Sequence, residues 1–64
     1  MLKEYLKQYR LRKNLTQEQM SELLKTSQSY YSRLERGHRK PGIQMINRIS
    51  KLLNQSPEFI RSLL

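Results

Sequence analysis

The groups in this sequence best suited to chemistry are hydrogen-bonding and cationic side chains gathered in residues 27–40, SQSYYSRLERGHRK. Gln28 carries a planar amide and Arg33 a planar guanidinium, each able to make two parallel hydrogen bonds to one partner. Ser29 and Ser32 add short hydroxyls. Arg33, Arg36, Arg39 and Lys40 place four cations within eight residues, opposed only by Glu35. Covalent or metal chemistry lacks its parts: His38 is the sole histidine, cysteine is absent, and the five carboxylates are scattered singly. A lone imidazole has neither the co-ligands of a metal site nor the partners of an acid-base pair, so no cofactor, no metal and no enzymatic activity are expected. His38 itself reads at most as a loop residue near an anion. The chemistry on offer is non-covalent recognition of an anionic, hydrogen-bonding surface.

Bulk properties point the same way. Thirteen Lys and Arg against five Glu give a net charge of +8, which favours a polyanionic partner. The 64 residues predict one domain spanning 1–64, close to the size at which a single core only just offsets chain entropy. Without cysteine neither disulfides nor thiolate ligands can staple it. No more than two apolar residues occur in succession, so neither a signal peptide nor a membrane-spanning helix is expected and the cytoplasm is the predicted location.

Helical spacing must supply the scaffold. Leu2, Leu6 and Tyr9 recur at steps of four and three, predicting an amphipathic helix over 2–13 that Asn14 can end in the left-handed conformation. Thr16, with Gln19 three residues on, forms a capping box that opens a second helix with Met20 and Leu24 buried. Ser27 caps a third helix carrying Tyr31 and Leu34 inward, and Gly37 is its left-handed stop. A basic loop, closed by Pro41, leads to a fourth helix from Ile43 with Ile46, Ile49 and Leu53 inward, ended by Asn54. Ser56-Pro57-Glu58 then starts a short fifth helix bearing Phe59, Ile60, Leu63 and Leu64. The expected fold is all-α, five short helices without a strand.

Two helices joined by a three-residue connection, with cations at the exit, is the geometry of a helix-turn-helix over about residues 16–36. Leu15-Thr16-Gln17-Glu18-Gln19-Met20, the run Ser27 to Gly37, and Pro41-Gly42-Ile43 resemble the phage repressor and Cro class of DNA-binding domains. That class is lambda-repressor-like and also holds small bacterial regulators, antitoxins and restriction-modification controllers. The resemblance runs in register over residues 2–60 and implies a compact lambda-repressor-like domain of bacterial or phage origin. Its expected partner is double-stranded DNA.

In that light the hydroxyl-glutamine pairs Thr16-Gln17 and Ser27-Gln28 take different roles. A helix N-terminus suits a phosphate oxygen, and Gln17 adds a donor there as a backbone clamp. Gln28 opens the helix expected in the major groove, where an amide pairs with adenine N6 and N7. Gln28, Ser29, Ser32 and Arg33 are the base-contact candidates, Arg33 favouring guanine; the bland alternative is a solvated helix surface. Arg36, Arg39 and Lys40 are phosphate candidates, with a plain charge run as their alternative. Tyr30 either packs at the core edge or reaches a phosphate. The resemblance also implies an ion pair between Arg10 and Glu35 holding the first helix to the third.

Three departures from the family pattern bear on the site. Lys25 stands where Gly is common in the turn, and a positive φ there would add about 1 kcal/mol of strain. Ser21 replaces the usual Ala. Leu11, Leu23, Met45 and Leu52 are apolar where the pattern is usually polar; with the tail they raise a two-fold contact through Phe59, Ile60 and Leu63 and the loop before the fourth helix, or a tail that closes its own core or packs on a further domain. The resulting expectation is a homodimeric repressor on an inverted-repeat operator. An antitoxin or restriction-modification controller regulating its own operon, with a protein partner, is the alternative within the fold; a module binding an acidic protein is the alternative outside it.

Overall fold

A computed structural model describes all 64 residues as five helices and no strand: α1 Leu2–Arg12, α2 Gln17–Leu23, α3 Gln28–Glu35, α4 Ile43–Leu53 and α5 Pro57–Ser62. Local chemistry starts them. Thr16 Oγ1 accepts the Gln19 amide at 3.1 Å while Gln19 Oε1 accepts the Thr16 amide at 2.8 Å, closing a capping box on α2. Ser27 and Ser56 cap α3 and α5 by accepting the amides of Tyr30 and Phe59 at 3.2 and 3.1 Å.

The first four helices end alike. Asn14, Lys25, Gly37 and Asn54 have φ of 56, 57, 79 and 56°. In each case the next amide reaches back five residues: Leu15 to Arg10, Thr26 to Ser21, His38 to Arg33 and Gln55 to Ser50, at 2.8–2.9 Å. This satisfies carbonyls that a helix end would leave orphaned. Only Gly37 is free of the steric penalty of that conformation, and a Cβ there would also lie 3.0 Å from Lys3 Cδ.

The core comprises Leu2, Leu6, Met20, Leu24, Tyr31, Leu34, Met45, Ile46, Ile49 and Ile60. Every helix contributes to it. Truncating a fully buried member such as Leu6 or Ile49 to Ala costs about 2–5 kcal/mol, comparable with the roughly 3–5 kcal/mol that holds a domain of this size together.

Two expectations are corrected by this packing. Ile60 is fully buried, so it is a core residue of its own chain and has no surface with which to meet a second copy. Met45 is also inward, at 7 % exposure, and joins Ile46 and Ile49 in the core, so the buried stripe of α4 is wider than the family pattern suggests. Ser21 fits beneath α3, its hydroxyl donating to Glu18 O at 2.6 Å, which satisfies the one polar group that an Ala would not bring.

Candidate nucleic-acid interface

The inner side of α3 is anchored by one carboxylate. Glu35 accepts hydrogen bonds from Arg10 Nε and Nη2, both at 2.9 Å, from the Tyr31 hydroxyl at 2.5 Å, and from Gln17 Nε2 at 3.2 Å. The remaining Arg10 nitrogen, Nη1, donates to Leu15 O at 3.1 Å. Four donors from α1, α2 and α3 therefore fill the acceptor sites of a buried carboxylate, leaving no side-chain polar atom orphaned. Burial alone would raise the Glu35 pKa, but the bonds from Arg10, Tyr31 and Gln17 outweigh it and hold the carboxyl below its ordinary value. The Tyr31 hydroxyl is pushed up, first by burial and then by its bond to Glu35, so it remains a donor.

Gln17 is thereby drawn into two tasks. One of its two side-chain N–H donors goes to Glu35, so the free clamp expected from its position is not what the structure presents. Gln17 still lines the groove on the outer side of α3, and its second side-chain N–H has no partner within the chain.

The outer side of α3 is a groove of about 480 Å³ lined by Gln17, Gln28, Ser29, Ser32, Arg33 and Arg36, with no apolar member. Gln28, Ser29 and Arg33 are exposed and Ser32 is half-buried. Arg36 folds back toward Ser32 O at 3.4 Å. Tyr30 is half-buried against the core, and the Arg39 guanidinium lies 5.3 Å from its ring centre. The ring packs inward, the first of the two roles weighed for it, and its face also orients a loop cation. Lys40 is exposed on the same loop, ahead of the buried Pro41.

A helix-turn-helix family model matches residues 6–60, most of the chain. The chain belongs to the repressor and Cro-type helix-turn-helix family. It is 34 % identical over 53 residues to the uncharacterized HTH-type transcriptional regulator YqaF of Bacillus subtilis (strain 168), an alignment covering 83 % of this chain and 70 % of that protein. No solved structure matches it significantly. The family is one of DNA-binding domains, so double-stranded DNA is the polyanion that the net charge of +8 faces. No helix is long and apolar enough to cross a membrane.

Within this helix-turn-helix domain, sequence reasoning missed Arg48. Its Nη1 reaches from α4 to Leu24 O and Lys25 O at 3.4 and 3.3 Å, capping the end of α2 at the turn itself. A cation suits the carbonyl end of a helix, and here it supports the one non-Gly, non-Asn residue that adopts positive φ. The residues are 23 and 24 positions apart, so only charge type hinted at the contact.

Proposed function

We propose that this helix-turn-helix protein is a sequence-specific transcriptional repressor acting in the cytoplasm, which occupies an inverted-repeat operator as a homodimer. The observation that carries the reading is the two-sidedness of α3. One side is locked to α1 and α2 through Glu35, and the other presents Gln28, Ser29, Ser32 and Arg33 as an open polar surface. A rigidly held helix with free amide and guanidinium groups suits base edges, Gln28 toward adenine and Arg33 toward guanine. Arg36, Arg39, Lys40 and the remaining Gln17 donors serve the flanking phosphates. Similarity to YqaF, itself described as a transcriptional regulator, supports a regulatory role.

The two-fold contact is carried by the half-buried Phe59 and Leu63, without Ile60. Phe59 meets Tyr5 edge-on at 5.5 Å between ring centres, so α1 and α5 together offer an aromatic surface at which a second copy packs. Blocking a promoter by occupancy requires no further contact.

Selection of binding sites from a random duplex pool at moderate salt tests the reading. The expected product is an inverted repeat with half-sites about one helical turn, roughly 34 Å, apart. A pool that stays featureless while still binding at low salt would sink sequence-specific repression and leave charge alone as the driving force.

A further inference from the structure

A second groove, also of about 480 Å³, runs between α1, the C-terminal end of α3 and the loop that follows it. It is lined by Lys3, Glu4, Lys7, Glu35, Arg36 and His38 and contains no apolar side chain. Lys3 and Lys7 stand four residues apart and so share one face of α1, about 6 Å apart along its axis.

Both carboxylates in this groove are already held by other donors. Glu4 pairs with the N-terminal amino group, and Glu35 accepts from Arg10, Tyr31 and Gln17. The two ion pairs of the chain, Met1 with Glu4 and Arg10 with Glu35, leave Lys3, Lys7 and Arg36 without an anionic partner. Three unpaired cations facing an entirely polar groove suit an external anion. Arg36 also lines the groove on the outer side of α3, so the two grooves meet at its side chain.

We propose that the α1 groove is a phosphate track, in which Lys3 and Lys7 take the DNA backbone flanking the bases that α3 faces, with Arg36 at the junction. The inference rests on the DNA-binding reading and extends it to a helix outside the helix-turn-helix. The 6 Å between the lysines spans about two of the charges that one strand carries, spaced roughly 3.4 Å along the duplex axis. The track would give each bound chain a second row of phosphate contacts independent of sequence.

The test is a salt titration of binding to a mixed-sequence 24-base-pair duplex, with ethylation interference on the same duplex carrying any selected site. Lys3→Ala and Lys7→Ala are each expected to make the slope of log affinity against log salt shallower by about 0.9 per bound chain, and the double variant by about twice that. Lys13→Ala and Lys51→Ala, outside both grooves, should leave it unchanged. Ethylation of one or two flanking phosphates should weaken the parent protein and not the Lys3→Ala, Lys7→Ala double variant. Thermal melts of these exposed-lysine variants confirm that the fold is kept. If Lys40→Ala flattens the slope while the α1 variants match the Lys51→Ala control, the track is wrong and the DNA-binding reading stands. If no variant changes the slope because the duplex is not bound, the underlying reading fails instead. Retention of the parent slope together with α1-dependent binding to a polyglutamate probe would overturn the track in favour of an acidic protein surface.

Discussion

The two sides of α3 carry comparable polar chemistry and use it in opposite ways. On the inner side every group has a partner: Glu35 takes four bonds, and Arg10, Tyr31 and Gln17 supply them from three helices. On the outer side the Gln28 and Arg33 side chains make no protein hydrogen bond and line an open groove. The same residue types therefore determine stability when satisfied within the chain and recognition when left unsatisfied at its surface. Substitutions should separate the two sides, since inner ones act through folding and outer ones through the partner.

The largest effect is expected inside. Arg10→Ala leaves Glu35 buried without its principal partner, at about 3–5 kcal/mol, which equals the net stability of a domain this small. Urea or thermal unfolding should find a substantial fraction of the variant, about half, unfolded at room temperature. A folded Arg10→Ala protein with normal melting would show that Glu35 is less dependent on the pair than its geometry implies. The same carboxylate sets an acid limb. Its pKa is lowered in the folded state, so its contribution is complete above the ordinary value of 4.5 and is lost as pH falls through the folded value below that. Melting temperature should drop in that range, and Glu35→Gln should flatten the drop while lowering the plateau.

Next in size comes Tyr31→Phe. The ring still fills the core, and only the hydroxyl bond to Glu35 is removed. A hydrogen bond to a charged group is worth about 1.5–3 kcal/mol, so the urea midpoint should fall while base preference is retained. A variant that altered the selected sequence would break the separation of the two sides, because an inner group would then be setting the outer geometry.

On the outer side, Gln28→Ala and Arg33→Ala should each remove about 1–3 kcal/mol of discrimination at one base pair. Stability should stay within about 0.5 kcal/mol of the parent, as for exposed positions generally. Competition binding across single-base variants of the selected site reads the first quantity, and urea unfolding the second. An unchanged preferred sequence in Gln28→Ala would show that the outer side is solvated surface. It would leave the inner anchor with nothing to orient.

How far each side was legible in the sequence follows from the range of its interactions. Capping is local, so Thr16 with Gln19, Ser27 and Ser56 could be placed from residue spacing, as could the left-handed stops at Asn14, Gly37 and Asn54. The outward residues of α3 followed from helical phase once Tyr31 and Leu34 were set inward. The family resemblance brought Arg10 and Glu35 forward together; nothing in their separation of 25 residues does so. Gln17's bond to Glu35 and Arg48's bonds to the end of α2 depend on where whole helices meet, which periodicity does not encode. Ile60 misled for the same reason. On a short apolar helix every face looks available until α4 is seen to cover one of them.

The smallest effect is expected at the turn that joins α2 to α3. Lys25 adopts φ of 57°, a conformation that penalises a side chain by about 1–2 kcal/mol, whereas Gly gives back roughly 0.5–1 kcal/mol in backbone entropy. Lys25→Gly should therefore stabilise the protein by up to about 1 kcal/mol. Arg48 bears on the same strain, because its guanidinium holds the Leu24 and Lys25 carbonyls in the turn geometry. At 3.3–3.4 Å these are long bonds, one part-buried and one exposed, worth about 0.5 kcal/mol at the low end of the usual range. Arg48→Ala should lower the urea midpoint slightly in the parent and less in the Lys25→Gly background, where the backbone adopts the turn unaided. A double-mutant cycle measures that coupling. Strict additivity would show that Arg48 merely lies near the turn, whereas a positive coupling would make it a residue that stabilises the strained backbone of the turn.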